Sequence, residues 1–258
     1  MTQQIKLYYD VMSPYSWIGF EVLHRYKQKW DLDLQLCPFQ ILKVREQSSN
    51  LPKSKEKAIH VGYDIARLAK FYNIPLKPPS NPTETLMVKG TTQAQQLLTA
   101  ANLELPDKVE AISRELWMRV WSRDEDITED TSLIQACVKI GISNENSKKL
   151  LARSKDQDVI NKLEATTQEA FNYGAFGAPF MVVGKDDPQI FWGSDRIELI
   201  GYTLGLKWEG PHVTKTNHNS SFQSVERSKD SIVFTSLTKW MILLVPIIIL
   251  IVLQWLNY

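Results

Sequence analysis

The sequence predicts an α/β fold, and three observations predict it: a β-α-β opening, a long stretch in which only helical periodicity occurs, and a β-β-α close. In the opening, Ile5–Val11 (IKLYYDV) is rich in β-branched and aromatic residues, as a buried strand requires. Trp17–Trp30 carries apolar residues at helical spacing, and Asp31–Phe39 alternates as DLDLQLCPF. From about residue 55 to 173 the patterns are helical, as in AIHVGYDIARLAKFY, TTQAQQLLTAAN, KVEAISRELWMRVW and DVINKLEATTQEAFNYG. Strands return at Phe180–Val183 and Gln189–Trp192 around a turn with Gly184 and Pro188, and a last helix starts near Ser194. Removing the helical block leaves the element order of a thioredoxin-like fold. The predicted organisation is therefore a thioredoxin-like domain over 4–50 and 174–207, an inserted all-helical domain at 51–173, a polar linker at 208–239 and a transmembrane helix at 240–256.

Composition excludes several classes of function. Thirty Lys plus Arg against 29 Asp plus Glu leaves a formal charge of +1, without the basic excess that phosphate-backbone binding demands, so no nucleic-acid partner is expected. Hydrophobic residues at 43% and charged residues at 23% supply an ordinary globular core and exclude global disorder. The two cysteines, Cys37 and Cys137, stand in neither CxxC nor metal-ligand spacing, so no disulfide framework and no metal site are expected, and a reducing compartment is the default. His24, His60, His212 and His218 form no ligand cluster either and read as structural or solvated. The N-terminal residues carry no signal-like apolar core and no Arg-rich presequence.

The C-terminal end differs. No charge occurs from Trp240 to Tyr258, and Met241–Leu253 is apolar but for Pro246. As a helix those residues reach roughly 28 Å, against a hydrocarbon core of about 30 Å. Trp240, Trp255 and Tyr258 sit where interfacial aromatics prefer to lie, and Lys239 can snorkel. The alternative is a helix that docks on the domain. The polar stretch before the run, and its apolarity on every face, favour a tail anchor inserted after synthesis, with the preceding domain facing the cytosol.

Three loops carry the candidate chemistry. Ser13-Pro14-Tyr15-Ser16 joins the first strand to the first helix with the spacing of a C-P-x-C redox motif, but serine stands in both cysteine positions. Thiol exchange by this chain alone is thereby excluded. A serine at a helix N-terminus can still donate its O–H to a thiolate that arrives with a ligand; equally, Ser13 reads as an N-cap with Pro14 at N1. Gly174–Phe180 (GAFGAPF) enters the third strand through Pro179, at a position where this fold often places a cis peptide that leaves backbone groups free for an extended ligand. Ser194 and Asp195 open the last helix, where Asp195 and Glu198 form a potential capping box, or where the helix start holds a ligand carboxylate while Asp195 pairs with its ammonium.

The blocks YYDVMSPYSWIGFEVL, RELWMRVWSRDEDITE, YGAFGAP and GSDRIELI, spread from Lys6 to about Trp208, closely resemble kappa-class glutathione transferases. The resemblance implies a homodimer that conjugates glutathione to electrophiles or reduces peroxides with it, glutathione being co-substrate and no other cofactor being needed. Position by position, it implies that Ser13 faces the glutathione sulfur, with Pro14 and Tyr15 beside it. Asn50 matches the asparagine of the loop after the second strand, and Lys57 matches a lysine near the glycine carboxylate, in a loop about two residues shorter. Ala178 and Pro179 match the backbone-pairing loop, and Ser194 and Asp195 the clamp on the γ-glutamyl group. Where the family usually has leucine, Ala178 is smaller, which implies a wider electrophile side. The tail at 240–256 falls outside the resemblance. The family's habit implies a mitochondrial or peroxisomal address, with the endoplasmic reticulum as the alternative. A glutathione-dependent isomerase of 2-hydroxychromene-2-carboxylate type shares the fold and the serine, and a membrane-tethered binding module without turnover is the reading from a different class.

Overall fold

A computed structural model describes residues 2–43 and 55–213 of the chain. By internal contact the chain divides into Met1–Leu51 with Asp64–Val213, and Pro52–Tyr63 with Thr214–Tyr258. Of the second unit only 55–63, the first half of one helix, is described.

The first unit is organised on a four-stranded sheet in the order β2-β1-β3-β4. β1 is Gln3–Tyr9, β2 Leu32–Pro38, β3 Phe180–Val183 and β4 Gln189–Trp192. β2 runs parallel to β1, with Leu7 opposite Leu36, and helix α1 (Pro14–Tyr26) supplies the crossover that a parallel pair requires. β3 is antiparallel to β1 and β4 antiparallel to β3, so the sheet has the thioredoxin-like arrangement that the element order predicts. The helices between β2 and β3 are α2 (Lys55–Tyr72), α3 (Thr92–Glu104), α4 (Val109–Met118), α5 (Asp130–Lys139), α6 (Asn144–Arg153) and α7 (Gln157–Asn172). A short α8 (Ile197–Thr203) closes the unit. Among the described residues from 55 to 173 there is no strand.

Central β1 is covered on both faces, which is why Leu7, Tyr8 and Tyr9 are all buried instead of alternating. Tyr8 faces a cluster with Phe39, Ala170 and Phe180. Tyr9 faces the other way, 5.3 Å from the Trp117 ring, and its hydroxyl shares a 2.7 Å hydrogen bond with Ser113. Trp117 also stacks on Trp17 at 6.3 Å, and Arg114 pairs with Glu21 at 2.8 Å, so the RELWMRVW block is the surface by which α4 grips α1.

Several boundaries depart from the periodicity. β1 stops at Tyr9, two residues short of Val11, because the buried Asp10 carboxylate takes the Met12 N–H at 2.9 Å and turns the chain. α1 begins at Pro14, before Trp17, since Ser13 caps it, and ends at Tyr26, before Trp30. Asp31 then adopts φ 47°, which redirects the chain into β2. α4 ends at Met118, and Arg119–Arg123 winds as a π-helical turn. At Ser194 the chain first makes a 3-10 turn, Ser194–Arg196, and no side-chain hydrogen bond caps either that turn or α8, so the potential capping box of Asp195 and Glu198 does not form. The start of the polar stretch is tied down: Trp208 stacks on Tyr26 at 4.8 Å, and Arg25 donates to the Pro211 carbonyl at 2.7 Å.

The C-terminal ends of β1 and β2 are held by side chains from outside the sheet. Asp10 also accepts from Thr91 Oγ1 at 2.7 Å and from the Ile41 N–H at 3.1 Å. Gln95 of α3, fully buried, donates through Nε2 to the carbonyls of Tyr9 (2.9 Å) and Phe39 (2.8 Å) and accepts the Val11 N–H at 3.4 Å. Trp121 donates from Nε1 to the Val11 carbonyl at 3.0 Å.

Among the described residues no helix is long and apolar enough to cross a membrane. The span expected at 240–256, and the linker from residue 214 onward, lie outside the described residues.

Gln95→Ala removes the partner of three buried main-chain groups. It is expected to cost about 2–4 kcal/mol, read as a lower urea midpoint at unchanged slope, while Ala at the exposed neighbour Gln93 stays within about 0.5 kcal/mol.

Candidate functional site

The site is assembled where β1 hands over to α1. Ser13 adopts an extended N-cap conformation (φ −91°, ψ 116°), its Oγ accepts the Ser16 N–H at 3.1 Å, and Pro14 occupies the first turn. No acidic residue stands in that turn itself, which presents the positive end of the helix dipole. The Ser13 hydroxyl is itself a donor, to the Ala178 carbonyl at 3.2 Å. That bond ties the first candidate loop to the second. The Ala178–Pro179 peptide is cis, as the thioredoxin-like order leads one to expect.

The third loop meets the same place. Gly193 donates its N–H to the Pro179 carbonyl at 3.0 Å. Its φ of 105° is open to glycine, and a Cβ there would lie 2.5 Å from Asp195 Oδ1. On the other side, the Cα of Gly19 lets α1 pack close: an added Cβ would sit 3.2 Å from Pro179 Cγ and 3.8 Å from Ser194 Cα. Ser13, Pro14, Ala178, Pro179 and Ser194 are thus brought together by short backbone contacts, with Ser13, Ser194 and Ala178 all nearly buried. Asp195 is exposed and paired with Arg196 at 3.1 Å, so its carboxylate is available at the rim.

Tyr15 points from the helix start to Asp64 of α2, donating to Oδ2 at 3.1 Å. Burial, then the negative charges of Asp64 and Asp195, raise its phenol well above the ordinary range, so it stays a neutral donor. Ser16 is fully buried and its Oγ has no hydrogen-bond partner among the described residues, whereas Ser13 keeps 5% of its surface accessible. Of the two serines, Ser13 is the one placed to meet a ligand. Asn50 lies outside the described residues, and so does the side chain of Lys57.

Sequence reading passed over Asp64, since a carboxylate on a helix face carries no local signal until its partner is known. It also passed over Asp10, whose position just after an apolar strand was the available clue. Phe176 and Trp192 pack with ring centroids 4.6 Å apart and planes tilted by 50°, both half-exposed, in and beside the cis-proline loop, and Gly177 permits this because a Cβ would lie 2.7 Å from Trp192 Nε1.

The protein's own thiols are elsewhere. Burial pushes Cys37 up to about 12 and Cys137 up to about 11, leaving on the order of one thiolate in a thousand or fewer at pH 8. An aromatic disulfide reagent at that pH is expected to leave both thiols of the native chain unreacted for minutes and to titrate both immediately in denaturant. Fast reaction of one native cysteine would put a protein thiol back among the candidates.

A family model described as DSBA-like thioredoxin domain matches residues 4–205. Among characterised proteins, glutathione S-transferase kappa 1 of Homo sapiens is 42% identical over 214 residues, covering 82% of this chain and 95% of the relative. Glutathione S-transferase kappa 1 of Rattus norvegicus is 41% identical over 210 residues, covering 80% and 93%. Among solved structures, a 2-hydroxychromene-2-carboxylate isomerase superposes with a TM-score of 0.65 at 19% identity, covering 78% of this chain and 94% of that one. At that identity the likeness is one of fold.

Proposed function

The chain belongs to the kappa class of glutathione transferases, built on the DSBA-like thioredoxin domain, and from that premise we propose that it delivers a glutathione thiolate to small electrophiles, with Ser13 as the hydroxyl that holds the sulfur. The observation that carries this reading is the Ser13 O–H, a buried single donor at the start of α1, directed at the loop carbonyl of Ala178.

A free thiol titrates near 8.5, and lowering that to about 6.5 takes roughly 2.7 kcal/mol of preference for the thiolate. A helix N-terminus contributes about 0.3–1 kcal/mol and a hydrogen bond to a charged acceptor about 1.5–3 kcal/mol, so the two together are sufficient. Ser13 acts neither as nucleophile nor as base. It stays protonated and turns its hydrogen from the Ala178 carbonyl to the arriving sulfur, while the released carbonyl becomes free to accept an amide of the ligand. The Ser194–Asp195 turn receives the γ-glutamyl group, Asp195 facing its ammonium, with Pro14, Tyr15 and Pro179 as walls. Asn50 and Lys57 complete the peptide site on the strength of the family match. Catalysis beyond thiolate formation is proximity: an electrophile held against the sulfur.

The same hydroxyl serves glutathione-dependent peroxide reduction or isomerisation equally well, and turnover of a halonitroarene compared with a hydroperoxide and a 2-hydroxychromene-2-carboxylate decides among them. We also propose a homodimer, a tail anchor at 240–256 with the enzyme facing the cytosol, and a mitochondrial or peroxisomal membrane, with the endoplasmic reticulum as the alternative. The division into a thioredoxin-like domain and a helical insert at 51–173 belongs to the same proposal.

Ser13→Ala keeps the helix start and loses the donor. Thiolate absorbance near 240 nm of bound glutathione should then titrate higher by about one to two pH units, and conjugation of 1-chloro-2,4-dinitrobenzene at pH 6.5 should fall about 10- to 100-fold. Glutathione binding at low pH should change little, because a neutral thiol gains less from that donor. Ser16→Ala should be milder. An unshifted titration in Ser13→Ala, or the larger shift in Ser16→Ala, overturns the assignment.

Separately, a chain ended after Asp230 is expected to stay in the supernatant with full conjugating activity while the complete chain pellets with membranes. Sedimentation of both alike contradicts the anchor.

A further inference from the structure

We propose that a half-open cleft of about 540 Å³ beside β2, separate from the lining of the Ser13 site, binds a small carboxylate with an apolar body. The cleft is bounded by the free edge of β2, the C-terminal half of α3, the start of α4, the end of α1 and one face of α7. None of the site residues from Ser13 to Asp195 lines it. Its volume falls within the range of sites that enclose small molecules, about 300–1,000 Å³.

Three features define the occupant. The floor is apolar, from Leu34, Leu36, Leu103 and Val109. Three lysines and three carboxylates line it, and the carboxylates are already engaged. Glu169 pairs with Lys6 at 2.7 Å, Glu110 with Arg114 at 3.0 Å, an arginine it shares with Glu21, and Asp107 with Lys108 at 3.5 Å. Lys27 and Lys162 also line the cleft and form no ion pair with a described residue. Lys162 lies near Cys37 and Lys27 near Glu110, two other residues of the lining.

The third feature is the strand edge. Gln3 donates to the Asp31 carbonyl and Phe39 to the Tyr9 carbonyl, which turns the odd-numbered residues of this strand toward β1 and Leu34 and Leu36 away from it. Asn102 confirms the direction by donating to the Leu36 carbonyl at 2.7 Å. With that carbonyl taken, and with Pro38 lacking an N–H, the edge is too interrupted to accept another strand. What it retains toward the cleft is the N–H groups of Leu34 and Leu36 with the Leu34 carbonyl between them, and the two N–H groups are donors that suit a carboxylate, flanked by lysines and backed by leucines. An acidic head with an aliphatic or aromatic body satisfies all three features; a neutral apolar molecule leaves the lysines and N–H groups unused, and a bare anion leaves the floor wet.

The test is isothermal titration of the full chain with octanoate while S-hexylglutathione saturates the Ser13 site. One octanoate per chain is expected to bind under those conditions, with octanol and inorganic phosphate each at least tenfold weaker. The double substitution Lys27→Gln and Lys162→Gln should weaken octanoate at least tenfold and leave 1-chloro-2,4-dinitrobenzene conjugation unchanged. Displacement of octanoate by S-hexylglutathione, equal affinity for octanol, or undiminished binding in the double variant would each overturn the proposal.

Discussion

The structure depends on how β1 is made to end. A buried strand has to release its chain at a defined point if the next helix is to begin with its N–H groups directed at a ligand, and here that release is enforced by Asp10 and Gln95. Asp10 holds Met12, Ile41 and Thr91 through one carboxylate. Gln95 holds Tyr9, Val11 and Phe39 through one amide. Between them these side chains satisfy main-chain groups that the sheet no longer pairs, at a place too buried for water to do so. The helices between β2 and β3 are in this sense part of the junction: Thr91 is the N-cap of α3, Gln95 follows it by one turn, and Trp121 adds a further bond to Val11.

From that constraint the site follows by short contacts. Because residues 9–12 are fixed, Ser13 is fixed as the cap of α1, and its hydroxyl meets the carbonyl that precedes Pro179. Because Pro179 lies against Gly19 and receives the Gly193 N–H, the turn with Ser194 and Asp195 arrives beside it. Three segments distant in sequence are thereby aligned with no long side chain spanning the gap. Gly19 has to be small for the same reason: an added Cβ would press on Pro179 and Ser194, the two loops that α1 brings together.

Much of this was legible in the sequence, and what was not has identifiable causes. β3 and β4 matched their periodicity to the residue, since each is a short apolar run bounded by Gly or Pro. Ser13 was legible as a cap because Ser-Pro is a helix-start signal that needs no tertiary information. Val11 and Trp30 misled because their apolarity serves burial outside the regular elements: the Val11 main chain is spoken for by Gln95 and Trp121, and Trp30 packs its ring 4.1 Å from Tyr26 while donating to the Lys207 carbonyl. Asp195 and Glu198 satisfied a capping pattern that the 3-10 turn at Ser194 does not use. The pairing of Tyr15 with Asp64, forty-nine positions away, had no local trace at all.

The hydroxyl of Ser13 sets the final constraint on the chemistry. It has one hydrogen, which the Ala178 carbonyl holds, and its oxygen already accepts the Ser16 N–H. Donation to a sulfur therefore requires the bond to Ala178 to break, and breaking it without replacement would leave a nearly buried carbonyl unpaired at about 1–3 kcal/mol. A ligand that brings a thiolate and an amide N–H together replaces both ends of that bond at once, whereas a bare thiol replaces only one. In the proposed role of Ser13, thiolate activation is for that reason tied to recognition of a peptide, and a simple thiol gains less from that hydroxyl than a thiol carried on a backbone that pairs with the cis-proline loop.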